Sequence, residues 1–317
     1  MIILLTDIDK QETYFSDISE FCFLSNLKSP ATELIITINL KIPIKTHFHK
    51  IKLIYKNSTI FEGYIDQQTV SSSPLGLNLK IFARSRACFL LDNQARPQTY
   101  HNLSLKELLD SYISPYGFSY EKIDPHLLLI SLNSFTVFPK MSEWSVLNSF
   151  LNQTLNITPF ITDNNQITAS FIDSPFSISN SLNQNSPSSL INFNYSYLSS
   201  HFQNTGLVSD IFIKNKNSSF NQITNKLAYK NHLKSRRFSL LSKNAATNIL
   251  ATQNQNYFSL SLTIPELFPS NIGHKVTVID DIIDNKISDN KFIIDKLYFI
   301  FKNNELNSYL SLFSQSS

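Results

Sequence analysis

Two local groups of side chains in this 317-residue chain have the types and spacing to hold a metal ion. The first is His47-Phe48-His49. On a strand, residues two apart face the same side, so the two imidazoles present two nitrogen ligands together. A zinc site needs three or four ligands, and no Cys, Asp or Glu accompanies the pair at ligand spacing. The plainer reading is a solvated strand edge, with Lys45, Lys50 and Lys52 close by. The second group is Asp280, Asp281, Asp284 and Asp289. These carboxylates are hard-cation ligands, but their spacing is not that of an EF-hand loop, and Asp dominates turns for its own reasons. Nucleophilic chemistry fares no better. The 5 glycines are too few and too far apart to build a Gly-x-Ser-x-Gly elbow or a phosphate-binding loop. The sequence therefore predicts no enzyme, no bound metal and no cofactor.

The third chemical feature is a run of one-sided charge. Between Asp210 and Glu266 there is no acidic residue, yet the segment holds Lys214, Lys216, Lys226, Lys230, Lys234, Arg236, Arg237 and Lys243. The whole chain is only +3, so the remainder is net negative. Such a stripe suits nucleic acid or an acidic protein surface. Aromatics interleaved for base stacking are sparse, Tyr229 and Phe238 apart, so a solvated or partner-facing basic face is preferred to DNA readout. Arg84, Arg86 and Arg96 pose the same choice between interface arginines and plain edge charges.

The elements that must carry these groups are mainly strands. Hydrophobic residues make up 42% of the chain, and 25 Phe with 13 Tyr favour sheet over bundle. Charged residues, at 16%, are replaced on the surface by Asn, Ser and Gln. Leu34, Ile36, Ile38 and Leu40 alternate with polar neighbours until Pro43. A hairpin spans 51–65 around Lys56-Asn57-Ser58, and a turn cluster at 71–76 leads to Leu77, Leu79 and Ile81 on one face. Ser104 and Glu107 form a capping box ahead of Leu105, Leu108, Leu109, Tyr112 and Ile113 at helical spacing. A second helix opens near Ser142 and stops before Pro159, and a hairpin turns at Asp163-Asn164-Asn165. The Ser-, Asn- and Pro-rich stretch 174–190 reads as a linker. Beyond it come strands at 191–197 and 207–214, a helix at 238–251, and closing strands at 257–264, 275–279, 292–301 and 306–313. This predicts a mainly β chain with an α+β insert: a first barrel domain (1–91), a helix-hairpin domain (92–173), and a second barrel with one helix (191–317). Cys22 and Cys88 lie in apolar, strand-like segments. A disulfide stays open, but the burial habits of unpaired cysteine favour two free thiols. The N-terminus lacks the basic region of a signal peptide, and no apolar run approaches the ~20 residues of a membrane helix. The chain is therefore expected to be made in the cytosol.

In the order in which they occur, several of these pieces resemble the hub at the tip of phage-like contractile tails. That group includes the phage Mu tail hub, the late control protein D family and the N-terminal part of valine-glycine repeat spike proteins. Its strand ending in Gly followed by Tyr, Ile or Val is similar to Phe61-Glu62-Gly63-Tyr64-Ile65. Its Gly-Arg-Ser-like turn and Leu-Asp pair are similar to Ala83-Arg84-Ser85-Arg86 and Leu91-Asp92. Its helix ending in Pro-Tyr-Gly is similar to the one that stops at Pro115-Tyr116-Gly117. The family glycine has become Ala83. If that glycine needs a positive φ, Ala83 must bear strain or sit in a different turn.

The resemblance implies a structural protein: a homotrimeric baseplate hub with two tube-like antiparallel β-barrel domains of similar shape in each subunit. Three subunits would present six barrels to a hexameric tail tube and a threefold face to a trimeric spike, with baseplate wedge proteins alongside. The hub would assemble in the cytoplasm and work in the virion tail, with DNA passing through in transit if at all. No β-helical extension follows the last strands, which implies that the spike is a separate polypeptide. A tail-tip cell-wall hydrolase or a polysaccharide-binding β protein is the alternative. An assay on peptidoglycan separates the hydrolase from the hub, and the sequence offers that enzyme no acid/base pair.

Overall fold

The structure is a computed structural model. It describes all residues except 75, 156, 163–164, 180–189, 206, 215–218, 240–242, 256, 281–282, 284–290 and 315–317, and leaves out the side chains of 239, 243–245, 248 and 252. The N-terminal part holds β1 (Ile2–Asp7), β2 (Glu12–Phe15), β3 (Ile18–Asn26), β4 (Glu33–Leu40), β5 (Phe48–Tyr55), β6 (Ser58–Ser73) and β7 (Gly76–Ser85). Alternation drives them. Ile3 and Leu5, Leu34, Ile36 and Ile38, Ile51 and Leu53, and Leu79, Ile81 and Ala83 all point into one core while their neighbours face outward. The β5–β6 hairpin turns on Lys56 (φ 46°) and Asn57 (φ 63°) alone, since Tyr55 already pairs with Ser58. Positive φ at both turn residues is the type I′ signature, and Asn supplies one of them where glycine is scarce.

The strands pair in the order β2-β1-β5-β6-β7-β4-β3. β2 and β3 are consecutive, separated only by Ser16 and Asp17, so one bent strand touches both ends of the series. Asn39 on β4 fastens the corner: its backbone N–H donates to the Asp17 carbonyl oxygen at 2.9 Å and its side-chain amide to Asp17 Oδ1 at 2.8 Å.

Next comes a region with a core of its own. It contains α1 (Cys88–Asp92), β8 (Gln98–Ser104), α2 (Leu105–Tyr112), a 3₁₀ turn (Ser114–Tyr116), α3 (Pro125–Leu128), β9 (Ser131–Val137), α4 (Glu143–Thr154), β10 (Phe160–Ile161) and β11 (Ile167–Thr168). The capping box forms at the head of α2: Glu107 N–H donates to Ser104 Oγ at 3.2 Å, and Ser104 N–H to Glu107 Oε2 at 2.8 Å. Leu105, Leu108, Leu109 and Tyr112 bury against Val146, Leu147, Phe150 and Leu151 of α4.

The remaining strands are β12 (Ile172–Ser179), β13 (Ile191–Asn194), β14 (Tyr197–Phe202), then β15 (Asp210–Lys214), β16 (Phe220–Thr224), β17 (Arg236–Ser239), β18 (Phe258–Ile264), β19 (His274–Ile279), β20 (Lys291–Lys302) and β21 (Glu305–Ser314). Helices α5 (Lys226–Lys230) and α6 (Lys243–Gln255) complete the chain. β15, β16 and β17 form a separate three-stranded sheet, with Ile211 and Ile213 packed against Ala246 and Leu250 of α6. The others repeat the first part. β13-β12-β19-β20-β21-β18-β14 are neighbours in that order, and β13 and β14 are again consecutive, bent at Tyr195 and Ser196. Tyr195 N–H donates to Ser179 on β12, and Ser196 N–H to Thr263 on β18.

Matched strand for strand, β1, β2/β3, β4, β5, β6 and β7 have the same neighbours as β12, β13/β14, β18, β19, β20 and β21. Only the first strand differs in direction. β1 is antiparallel to β2 and β5, whereas β12 is parallel to β13 and β19.

Several expectations need correction. The two halves are not separate closed barrels: β3 pairs with β20, and 14 strands make one continuous sheet with no closed ladder among the described residues. Residues 174–179, taken as linker, are the body of β12, where Ser177 and Ser179 are fully buried and Ser177 pairs with Thr277. The rest of that stretch, through 189, lies outside the described residues. The turn cluster at 71–76 is shorter than expected, because Ser71, Ser72 and Ser73 continue β6. Phe238 is in β17, and the helix expected from it begins at Lys243. Cys88 opens α1 rather than lying in a strand, and both cysteines are free. Among the described residues no helix is long and apolar enough to cross a membrane.

Candidate assembly interface

The residues on which the hub resemblance rests converge at the junction of the first sheet region and the helical insert. β6 passes so close to β7 at Gly63 that a β-carbon there would lie 2.3 Å from the Arg84 carbonyl oxygen and 2.6 Å from Phe61 Cζ. Glycine is needed for this approach whatever its φ. The Arg84 side chain then bridges two elements. Nε and Nη2 donate to Asp66 at 2.6 and 3.0 Å, and Nη1 and Nη2 donate to Asp92 at 3.0 and 2.7 Å. Two bidentate forks on one guanidinium fix β6, β7 and α1 together. The hydrogen bonds from Arg84 hold the Asp92 carboxyl below its usual range against the opposing effect of burial, with the charge of Arg84 adding to the lowering. The two carboxylates in turn keep the guanidinium protonated.

Ser85 ties the same strand to the β3–β4 loop. Thr32 N–H donates to Ser85 Oγ at 3.1 Å, and Ser85 N–H donates to the Thr32 carbonyl oxygen at 2.9 Å. Leu91 packs on the insert's core. Pro115 sits in the first turn of the 3₁₀ segment, and Gly117 (φ 78°) ends it in the left-handed region, where a β-carbon would come within 2.9 Å of Arg86 Nη1. Ala83, in the place of the family glycine, is fully buried within β7 between Leu34 and Ile65, with no positive φ. It is in extended backbone, so the substitution carries no strain.

The basic stripe maps onto the small sheet between β14 and β18. Lys214 ends β15, Lys226 and Lys230 lie on α5, Lys234 precedes β17, and Arg236 and Arg237 are in β17; all six are exposed. Lys216 and the Lys243 side chain lie outside the described part. Asp210, at the start of β15 and in register with Arg236, is buried and engaged by neutral donors, so it supplies one negative charge against the six exposed cations. It accepts from Ser209 Oγ (2.8 Å), Gln222 Nε2 (2.7 Å), Tyr229 OH (2.9 Å) and Thr224 Oγ1 (3.3 Å). Burial works to raise its pKa, but these four donors together hold it below the usual value.

Sequence spacing missed an aromatic group on this sheet. Phe212, Phe220 and Phe238 share the face that carries Lys214 and Arg236, with Phe212 and Phe238 stacked at 5.2 Å and Phe220 edge-on to Phe238 at 5.5 Å. Phe238 is 70% exposed and Phe220 49%. Each of the three short strands carries a single Phe, and only the pairing of the strands brings them together.

The two metal hypotheses gain nothing. His47 precedes β5 and is exposed, while His49 is half-buried with an unpaired Nδ1. Asp280 accepts from the Tyr195 hydroxyl, and the other three carboxylates lie outside the described residues. Among the described residues no group of three His, Cys, Asp or Glu is placed to hold an ion.

The joint between the two repeated units is the longest-range feature of the sheet. β3 and β20 pair antiparallel from Asn26↔Lys296 to Glu20↔Lys302. Phe23 lies opposite and stacks on Phe299 at 5.1 Å, Phe21 does the same with Phe301 at 5.8 Å, and Lys302 reaches Glu20 at 3.7 Å. Each stacked pair contributes about 0.5–1.5 kcal/mol beyond its area.

No family model matches the sequence, and no curated protein does. Solved structures do match. The 43 kDa tail protein of prophage MuSo2 from Shewanella oneidensis aligns over 99% of this chain and 98% of its own, with a TM-score of 0.75 at 14% identity. A tail protein from Neisseria meningitidis aligns over 99% and 96%, with a TM-score of 0.73 at 14% identity. An Escherichia coli component of the type VI secretion system, described as similar to the T4 bacteriophage tail proteins gp27 and gp5, aligns over 95% of this chain and 74% of its own, with a TM-score of 0.61 at 8% identity. At such identities the likeness is one of fold. From end to end, then, this chain has the fold of phage tail proteins and of the gp27- and gp5-like component of a secretion machine.

Proposed function

We propose that the chain is the structural baseplate hub of a phage-like tail or injection particle, assembled in the cytoplasm as a homotrimer. The observation that carries this reading is the repeated connectivity: two six-strand units in one polypeptide, joined edge to edge through β3 and β20. Two similar units per subunit turn threefold symmetry into approximate sixfold symmetry. One face of such a ring matches a hexameric tail tube, while the subunit as a whole keeps the threefold repeat that a trimeric spike requires. The insert with its own core, assigned to 92–173, stands outside the ring and meets wedge proteins, and the basic stripe faces acidic surfaces on tube or wedge. The catalytic centre of a hydrolase plays no part in this role.

The test is the native mass of the full chain, alone and with its tube protein, together with images of the complex. Three copies and a ring of six similar lobes around a channel are expected. A monomer at high concentration, with no ring in the intact particle, overturns the reading.

A further inference from the structure

The repeat can be followed residue by residue, because both units carry the same irregularity. The β6–β7 ladder shifts register between Ile65 and Gln67, and the β20–β21 ladder between Ile294 and Lys296. The extra residue is an aspartate after an isoleucine in each, Asp66 and Asp295. Bulges pin register, so they supply a fixed origin for the match. Immediately before the bulge, Ala83 on β7 corresponds to Leu312 on β21. Ala83 pairs with Leu34 and Leu312 with Leu260; Leu34 pairs with Phe23 and Leu260 with Ser200. Phe23 on β3 thus corresponds to Ser200 on β14. Counting on from the bulge, Phe299 on β20 corresponds to Val70 on β6.

Within one chain, Phe23 and Phe299 face each other across the joint. Their counterparts, Ser200 and Val70, do not face each other, and each is paired on one side alone. Among the described residues, β14 pairs only with β18, and β6 beyond its bulge pairs only with β7. Gln68 fixes this departure of β6 from β5: its amide donates to the Thr46 carbonyl oxygen at 2.8 Å and its Oε1 accepts from Phe48 N–H at 3.0 Å. Neither edge is guarded. Residues 67–72 and 197–202 contain no Lys, Arg, Asp, Glu or Pro, the residues with which proteins blunt an edge that is to stay single. The first offers Val70 (39% exposed) and the second Tyr197 and Phe202 (59% and 54%).

We infer that β14 of one subunit pairs antiparallel with the distal half of β6 of a second copy, with Ser200 opposite Val70 and Phe202 opposite Gln68. The joint between subunits repeats the β3–β20 joint within the subunit, so each copy supplies one edge of each kind. This inference rests on the hub reading for the number of copies, but takes its strands and register from the chain itself. A contact that uses two different edges of each copy is head to tail, and it closes into a ring or runs on as a filament.

Oxidative cross-linking of the full-length chain tests it. Val70→Cys and Ser200→Cys together should give reductant-sensitive dimers and trimers on denaturing gels, with the bridge located by mass spectrometry. Either variant alone, and the wild type with Cys22 and Cys88, should give none. Val70→Cys with Ser199→Cys should cross-link about tenfold less, because a one-residue slip turns the thiol to the other face. Val70→Lys, a guard charge on an exposed position, should weaken self-association about tenfold while leaving the melting of the subunit unchanged. Native mass on the same samples separates the outcomes. A trimer without the 70–200 bridge, or one bridged equally well at 199, overturns the register and leaves the hub reading standing. A chain that is monomeric throughout overturns both.

Discussion

The carbonyl oxygen of Arg84 occupies the space that a β-carbon on Gly63 would need, with 2.3 Å between them. The obstacle is backbone, not the tip of a flexible side chain, so β6 or β7 must move for any side chain to fit. Gly63→Ala should therefore destabilise the fold by about 1–3 kcal/mol, the usual cost of overpacking. Urea unfolding measures it as a lower midpoint at unchanged slope. A midpoint equal to wild type would show that the two strands separate freely.

Arg84 and Asp92 make the same junction sensitive to acid. The folded-state pKa of Asp92 is depressed by the hydrogen bonds from Arg84. The contribution is therefore present above the unfolded carboxylate value, ~3.9, and is lost as pH falls through the lower folded value. The Asp92 side chain is 52% exposed, so solvent screening discounts the effect to about 0.5–1 kcal/mol. Asp92→Asn should lower the melting temperature at pH 6, and the gap from wild type should close toward pH 2. A gap constant with pH would assign the loss to packing of α1.

How much of this was legible in the sequence follows from whether each signal is local. The capping box at Ser104 and Glu107, the Lys56-Asn57 turn and the alternation in β4 and β7 are written within a few residues, and all formed. β12 was hidden because its Ser174, Pro175, Ser177 and Ser179 have the composition of a linker. Ser177 and Ser179 are tolerated in the core by their hydrogen bonds to Asn192, a partner a dozen or more residues away. Phe238 fitted a helical face, and its place in β17 is set by β15, which no local pattern reports. The Phe212–Phe220–Phe238 group and the β3–β20 joint depend on pairings between distant strands. The matching of the two units emerged only once those pairings were known.

Glu143 on α4 offers a pH effect of the opposite sign. It is buried, its Oε2 has no partner, and Tyr116 OH reaches Oε1 only at 3.5 Å. Burial raises its pKa, and the hydrogen bond from Tyr116 offsets this in part. A raised carboxyl contributes stability at low pH that is lost as pH rises from the unfolded value, ~4.3, through the folded one. Glu143→Gln keeps an acceptor for Tyr116 and removes the ionisation. Its melting temperature should gain on wild type as pH rises from the unfolded value, ~4.3, and level off once Glu143 is ionised in the folded state as well. An equal offset at pH 4 and pH 8 would mean that Glu143 titrates as an ordinary exposed residue.

The last prediction concerns the exposed cations of the small sheet. Lys234, Arg236 and Arg237 lie within four positions of one another, all exposed, with Phe238 and Phe220 beside them on the surface. Asp210, in register with Arg236, is buried and held ionised by four neutral donors, so its single negative charge offsets only part of the field of these cations. A single exposed pair with a partner contributes only ~0.2–1 kcal/mol, so the charge matters only when repeated around a ring. Reversing all three to Glu should weaken assembly with tube or wedge protein by tenfold or more at low salt, roughly the sum of three such pairs. The deficit should shrink as salt screens both forms. The fold should be kept, because all three side chains are exposed and Arg236 lies on the face opposite Ile211 and Ile213, although Arg237 shares the face of Ile211. Co-sedimentation at 50 and 500 mM salt, read beside the melting curve, decides it. Assembly that is unchanged at both would make the stripe an ordinary solvated face and leave the exposed phenylalanines as the contact to examine.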